Sequence, residues 1–344
     1  MDNSKLEISI ILPCQNEAEA LLFCLGQIKK TIKQNNLSAE VIVSDSSTDE
    51  SPEIAKKENV ILLKHNKDGY GNAYLEAFRI TKGKYIFMAD ADGTYDFGEI
   101  PNFLKYLRAD YDFVIGNRFA GKMEKGAMPC FHKLGNPLLS GILRLFFGTS
   151  IKDSHCGMRA ITKKSLQKIH LQTTGMEFAS EMVIKSLKNN LKIKELPINY
   201  YKRKGKSKLK TFSDAWKHMR FMLLYSPLFL FFIPGIFLAS AGAAFYFLAH
   251  PFFSSLLIIT GYQLIIFSLF AKTYAIIHLQ EKSEFMDGVY KYLTIERVST
   301  LGFLTILLGV LFYFSSPIIA LTMAIIGVQT IFSSFMLSIL GIKK

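Results

Sequence analysis

The sequence predicts an α/β domain built on a mostly parallel sheet, followed by an all-α region that crosses a membrane. Two observations carry this prediction. Strand-like apolar runs alternate with helix-period segments through the first 220 residues, the pattern of parallel strands joined by crossover helices. Residues 228–340 are dominated by Leu, Ile, Phe, Ala and Gly, in stretches near the ~20 residues that a bilayer demands. Charge divides the same way, since 35 of the 41 Lys and Arg precede residue 221, as do 24 of the 28 Asp and Glu. A formal net charge of +13 suits anionic partners, whether nucleic acid, a membrane surface or phosphorylated substrates. Cys14, Cys24, Cys130 and Cys156 form no Cys-x-x-Cys pair and no disulfide-dense pattern, which fits a reducing compartment. The apolar run Ile8 to Leu12 is too short for a signal peptide and opens a strand, so the first part is expected in the cytosol.

Ile8 to Pro13 reads as the first strand, and Ala18 to Lys33 as a helix with apolar residues at Leu21, Leu22, Leu25 and Ile28. Glu40 to Asp45 is a second strand, with Ser46-Ser47-Thr48-Asp49 supplying capping hydroxyls for the next helix. Val60 to Lys64 is a third, after which Gly69-Tyr70-Gly71-Asn72-Ala73 opens a helix. Lys84 to Asp90 is an almost unbroken apolar fourth strand, and Phe113 to Arg118 a fifth. Ligands of such sheets bind at the carboxyl ends of the strands, where Pro13, Asp45 and Asp90 all lie.

Asp90-Ala91-Asp92 is the focus. Strand side chains alternate between faces, so residues 90 and 92 project the same way. Two carboxylates side by side repel unless something positive lies between them, and a hard divalent cation would serve. Its open positions would take water and the phosphate oxygens of a substrate. A solvated acidic turn is the competing reading.

Ile11-Leu12-Pro13-Cys14-Gln15-Asn16-Glu17, Val43-Ser44-Asp45-Ser46-Ser47-Thr48-Asp49 and Asp90-Ala91-Asp92, in this order and spacing, resemble the family 2 inverting glycosyltransferases of the Rossmann-like GT-A fold. Asp153-Ser154-His155-Cys156-Gly157-Met158-Arg159 and Arg203-Lys204-Gly205-Lys206-Ser207-Lys208 narrow the resemblance to the polyprenyl-phosphate branch, the dolichol-phosphate mannose synthase-like enzymes. It covers roughly residues 7 to 220, and the membrane part matches by architecture only.

The resemblance implies a nucleotide-diphosphate sugar as donor, a polyprenyl phosphate as acceptor and Mg2+ or Mn2+ as cofactor. Pro13, Asn16, Glu17 and Asp45 would border the nucleoside, and Gly71 and Asn72 would belong to a loop beside the nucleotide. Asp90 and Asp92 would hold the metal and act in catalysis, with Ala91 and Arg118 among the substrate-binding residues. Asp153 and Arg159 would lie on the acceptor side. The usual role of such an aspartate is general base, but a phosphate monoester with a second pKa near ~6 is already nucleophilic, so Asp153 is expected to orient the acceptor or Arg159. Arg203 and Lys208 match positions that hold phosphates. Outside these sets, His155 is an alternative proton acceptor, Asp96 reads as helix-entry chemistry, and Glu177 and Glu181 read as solvated more than site-facing.

The basic run Lys202 to Lys210 lacks interleaved aromatics and any nucleic-acid fold motif, so anionic headgroups or a lipid phosphate are expected there and nucleic acid is not. The predicted layout is a catalytic domain over 1–210, an interfacial amphipathic helix over 211–227 and a transmembrane domain over 228–344. The four spans are Leu228 to Leu248, Ser254 to Ile276, Leu301 to Ser315 and Ile318 to Leu340. Lys282, Lys291, Arg297 and Lys343-Lys344 put the central loop, the C-terminus and the catalytic domain on the cytosolic side by the positive-inside rule. Lys272, inside a span, snorkels or meets a lipid phosphate. The expected activity is inverting transfer to undecaprenyl or dolichyl phosphate. Transfer to a ceramide or diacylglycerol hydroxyl, or a non-catalytic lipid-binding or transport role, are the alternatives. Sugar, base and isoprenoid length are left open, and a homo-oligomer is compatible with this organisation.

Overall fold

The computed structural model describes residues 6–205, 211–248, 250–278, 288, 290 and 294–341. It divides into two compact units, Met1–Met222 and Leu223–Lys344.

The first unit alternates strand and helix from its start: β1 (Ile8–Cys14), α1 (Ala18–Gln34), β2 (Ala39–Asp45), α2 (Ser51–Lys57), β3 (Ile61–Lys64), α3 (Tyr70–Phe78) and β4 (Tyr85–Met88). A 3-10 turn at Phe97–Glu99 leads into α4 (Ile100–Arg108), β5 (Phe113–Asn117) and α5 (Cys130–Phe147). Then come β6 (Arg159–Thr162), α6 (Lys163–Ile169), α7 (Phe178–Lys188), β7 (Ile193–Pro197) and α8 (Thr211–Leu224). The strands form one sheet in the order β3-β2-β1-β4-β6-β5-β7. Every pairing is parallel except those of β6, which runs antiparallel to both β4 and β5.

The five predicted strands form, although β4 stops at Met88, so Asp90-Ala91-Asp92 lies in the loop beyond it rather than on the strand. β1 and β4 read as near-continuous apolar runs because helices cover both faces of a central parallel strand. β6 and β7 carry no comparable signal. β6 is four residues long, and β7 mixes Lys194 and Glu195 into a half-buried edge that ends at Pro197. On α1 the packed face is Leu21, Cys24, Leu25 and Ile28, while Leu22 is 55% exposed and lies off it.

In the second unit a π turn at Leu228–Phe232 enters α9 (Ile233–Phe247), followed by α10 (Pro251–His278), α11 (Ile295–Leu311) and α12 (Pro317–Gly341). Among the described residues, Leu228–Phe247, Pro251–Ile277 and Pro317–Gly341 are long and apolar enough to cross a membrane. α11, the counterpart of the predicted span Leu301 to Ser315, has 17 residues.

These four helices form two hairpins with the same internal packing. Gly235 lies against Gly261, and Gly242 against Ser254 and Ile258; in the second hairpin Gly302 lies against Gly327, and Gly309 against Ala320 and Ala324. The sequence repeats in step. Gly242 and Gly309 each precede a Phe-Tyr-Phe, at 245–247 and 312–314, and Gly261-Tyr262-Gln263-Leu264-Ile265 answers Gly327-Val328-Gln329-Thr330-Ile331. A Cβ on Gly261 or Gly327 would come within 2.6 Å of the carbonyl oxygen of the facing glycine, so only glycine permits this backbone approach. α10 and α12 meet side by side in the same direction through Ser255–Thr322 and Tyr262–Thr330 hydrogen bonds.

Candidate active site

Asp45 closes β2 with its side chain fully buried, and neither carboxylate oxygen has a hydrogen-bond partner among the described residues. A buried acceptor without a donor is costly unless a ligand supplies one. Pro13 lies beside it, in register with Ser44 across the β1–β2 pair. Asn16 adopts a left-handed φ of 53° and ties the two strand-end loops together. Its Oδ1 accepts from the Thr48 N–H at 2.8 Å and the Asp49 N–H at 3.3 Å, while its own N–H donates to Ser47 Oγ at 2.7 Å.

Beyond β4, Asp90 Oδ1 is likewise buried and unpartnered among the described residues. Burial, and second the negative charge of Asp92, push the Asp90 carboxyl up to about 7, while a hydrogen bond from Tyr70 pulls it down. Asp92 is more occupied. Its Oδ1 accepts from the Thr94 N–H at 3.0 Å and the Thr94 hydroxyl at 2.6 Å, and its Oδ2 accepts from Arg203 Nη1 at 3.0 Å. Arg203 also pairs with Glu17, so three predicted site residues from distant parts of the chain meet in one ion-pair network. The positive group that the acidic pair demands is, in this structure, Arg203. A cleft of about 510 Å³ opens beside it, lined by Phe23, Tyr95, Glu124, Tyr201 and Lys204 among others. Lys208, the other predicted phosphate-holding residue, lies outside the described residues. Asp96 caps the 3-10 turn by accepting from the Gly98 N–H at 2.8 Å, as its helix-entry reading requires.

On the other side of Asp90, the 153–158 loop closes the site. Gly157 donates its N–H to Tyr95 Oη at 2.8 Å, and a Cβ on it would lie 2.6 Å from Asp90 Oδ2, so only glycine lets the loop approach this carboxylate. Asp153 is fully buried in the fork of Arg118, with Nε donating to Oδ2 at 2.8 Å and Nη2 to Oδ1 at 2.7 Å. Both oxygens are thus occupied by Arg118, which leaves Asp153 poorly placed to take a proton from a substrate. Asp153 therefore orients Arg118, which stacks over the Tyr200 ring, rather than Arg159. Arg159 is committed to main chain: Nε donates to the Cys156 carbonyl at 2.7 Å, Nη1 to that of Ala179 at 2.8 Å and Nη2 to that of Ser154 at 2.7 Å. Through these bonds Arg159 holds the shape of the 153–158 loop. His155 joins a buried polar chain, with Nδ1 and Ser154 Oγ 3.0 Å apart, Nε2 and Ser180 Oγ 3.1 Å apart, and Ser180 Oγ 2.8 Å from His218 Nδ1. Burial, then His218, hold its pKa well below the usual value, so it stays neutral and structural.

Gly71 and Asn72 pack against the 173–175 loop. Their N–H groups donate to the Gly175 and Thr174 carbonyls at 3.3 and 3.1 Å, and a Cβ on Gly71 would lie 2.2 Å from the Thr173 carbonyl oxygen. The first-turn amides of α3 are thus engaged by protein. The loop that engages them is held by Glu181, which is fully buried, not solvated. Glu181 accepts from the N–H groups of Gln172 and Thr173, from the Thr173 hydroxyl at 2.6 Å, and pairs with Lys185 at 2.7 Å. Tyr74 of α3 stacks on Phe178 with ring centroids 5.2 Å apart, and Tyr70 meets it edge-on. Tyr70 and Glu181 shape the site, a part that the sequence reading gave to neither; Glu181, the one acid of α7, stands among apolar residues with no local sign of the loop it holds.

The pair Asp90 and Asp92 fits a hard divalent cation. Asp90 offers a buried carboxylate oxygen with no other partner, the donor set is all oxygen, and two carboxylates leave positions for diphosphate oxygens and water. Among the described residues no third His, Cys, Asp or Glu completes a protein-only cage.

Residues 9–170 match the domain described as Glycosyl transferase family 2. The low-salt glycan biosynthesis hexosyltransferase Agl6 of Haloferax volcanii is 34% identical, over 97% of this chain and 89% of its own. The dolichyl-phosphate hexose transferase of the same organism is 30% identical over 61% of this chain and 89% of its own. Among solved structures, the glucosyl-3-phosphoglycerate synthase of Mycobacterium tuberculosis, in complex with Mn2+, UDP and glucosyl-3-phosphoglycerate, superposes with a TM-score of 0.53 at 18% identity. It covers 64% of this chain and 80% of its own. At that identity the likeness is one of fold.

Proposed function

The chain belongs to glycosyl transferase family 2, and from that premise we propose that it moves a hexose from a nucleotide-diphosphate sugar to a polyprenyl phosphate. Its first unit has the GT-A fold, and a helical region with three candidate membrane spans follows. The observation that carries the reading is the set of buried carboxylate oxygens along one sheet edge with no partner among the described residues, both of Asp45 and Oδ1 of Asp90. They need ligand groups of opposite kinds. Asp45 would accept hydrogen bonds from base or ribose, and Asp90 with Asp92 would hold Mg2+ or Mn2+. When bound, the cation supplies positive charge that balances the diphosphate as the glycosidic bond breaks.

The acceptor phosphate, with a second pKa near ~6, is largely dianionic at neutral pH and attacks the anomeric carbon through an oxygen lone pair. The bond from that carbon to the diphosphate oxygen breaks, and the nucleoside diphosphate leaves with the electron pair. Inversion follows from attack opposite the leaving group. Arg118, aligned by Asp153 and Tyr200, and Arg203, aligned by Asp92 and Glu17, line the phosphate-binding edge. Transfer to a lipid hydroxyl is disfavoured because it needs a base, and Asp153 is held in an ion pair. The reading extends to topology: a catalytic unit on the cytosolic side, α8 with the residues up to 227 in the interface, and α9–α12 as four spans, supported by the basic residues at their cytosolic ends.

The test is transfer of radiolabelled sugar into the organic phase from a panel of nucleotide sugars, with purified protein, a short polyprenyl phosphate and Mn2+ or Mg2+. Label enters lipid only with metal, and Asp90→Asn lowers the rate on the order of 100-fold or more. Metal-independent transfer would refute the cation's part, and transfer only to a hydroxyl lipid would refute the acceptor.

A further inference from the structure

α8 buries His218, Phe221 and Met222, which at i, i+3 and i+4 form one face of the helix. Two of the three are apolar. His218 instead brings a ring that must find hydrogen-bond partners once it leaves water. One of them lies 38 residues back in the chain, on α7: His218 Nδ1 is 2.8 Å from Ser180 Oγ. From Ser180 the contacts run on, with His155 Nε2 3.1 Å away and His155 Nδ1 3.0 Å from Ser154 Oγ. Ser154 Oγ in turn lies 3.0 Å from Ser140 Oγ of α5, which also accepts from the Ser154 N–H at 3.1 Å. All three serines are fully buried. A hydroxyl shared by two imidazoles donates to one and accepts from the other, so the proton on His218 Nδ1 sets the direction of each bond as far as Ser154. A buried polar chain that is satisfied along its length fixes one arrangement of the elements it joins.

What it fixes is the loop beside the site. Asp153 precedes Ser154 and aligns Arg118, while Gly157 brings the same loop up to Asp90. We propose that His218 is a positioning residue for the acceptor phosphate, holding the 153–158 loop through Ser180 and His155 so that Arg118 stays aligned. The proposal rests on the reaction proposed above, in which the cation and Arg203 answer to the donor diphosphate and Arg118 is left for the phosphate that attacks.

The experiment uses the full-length protein and separates the ring nitrogen from the size of the side chain. Asparagine puts an amide group where imidazole has Nδ1, and glutamine puts it where Nε2 lies. His218→Gln and His218→Phe should raise the KM for polyprenyl phosphate about 10-fold, with the KM for nucleotide sugar changed less than ~2-fold, and His218→Asn should recover most of the loss. Ser180→Ala should act alike, and adding it to His218→Phe should do no further harm, because both break one chain of bonds. Equal rises in both KM values, effects that multiply in the double variant, or His218→Asn as impaired as His218→Phe would each overturn the proposal. Hydrogen exchange supplies a readout that needs no turnover. Amides of residues 153–158 should exchange at least ~10-fold faster in His218→Phe than in the unaltered protein, with those of β1 unchanged. Unchanged exchange at 153–158 would refute the hold on the loop. Faster exchange, in a protein that never transfers sugar to polyprenyl phosphate, would refute the reaction and the acceptor assignment while the hold on the loop stands.

Discussion

Asp153 and Arg118 illustrate how a side chain's partner decides its chemistry. A buried carboxylate in a bidentate guanidinium fork depends on that partner, and removing one member leaves the other buried and uncompensated at a cost of about 3–5 kcal/mol. Asp153 is in this sense a residue for holding Arg118. His155 is the complementary case. The groups that face it are His218 across a T-shaped ring contact 4.4 Å between centroids, Arg159 and Arg118 as nearby cations, and the hydroxyls of Ser154 and Ser180. All the charged ones disfavour its protonated form. Its folded pKa lies below the unfolded value near ~6.5, so the stability it contributes is full above that pH and is lost as the pH falls below it. The midpoint of thermal unfolding should therefore drop between pH 7.5 and pH 5, and His155→Gln should flatten that drop. Parallel pH profiles for the two proteins would show that His155 is not the group responsible.

At the scale of elements, the site depends on loops that hold other loops. Glu181 on α7 fixes residues 172–173, the carbonyls of 174 and 175 take the first amides of α3, and α3 delivers Tyr70 to Asp90. Glu181→Ala removes the acceptor for several buried donors, a loss on the order of 3 kcal/mol. It should lower the unfolding midpoint by several degrees and weaken Mn2+ binding, with Glu181→Gln retaining part of both. Unchanged Mn2+ affinity in a folded Glu181→Ala protein would break the link from α7 to the metal pair. α5 was legible as a helix only in retrospect: Gly135, Pro137 and Gly141 interrupt its pattern, and its apolar residues lie on two faces rather than one.

At the scale of the whole molecule, the second unit repeats one hairpin twice, and each copy is closed by a glycine pair. Equal packing should have equal energetic weight. Gly261→Leu and Gly327→Leu, each bringing a Cβ within 2.6 Å of facing backbone, should lower the midpoint of thermal unfolding in detergent by similar amounts. A large effect at one position and none at the other would mean that the two hairpins differ in stability despite matching contacts.

Much about this protein was decided by its amino-acid order alone. Unbroken apolar runs ending at Pro13, Asp45 and near Asp90 require buried parallel strands, because only a sheet covered on both faces removes such side chains from water. The acidic pair and the apolar C-terminal stretches follow from local order in the same way. Which charge meets which did not. Arg203 reaches Asp92 across 111 residues of chain that include strands β6 and β7, whose short, mixed sequences have no strong period, and Arg118 reaches Asp153 across 35 that include α5. Pairing over such separations is set by the order of strands in the sheet and by burial of what lies between, and only the folded chain supplies both.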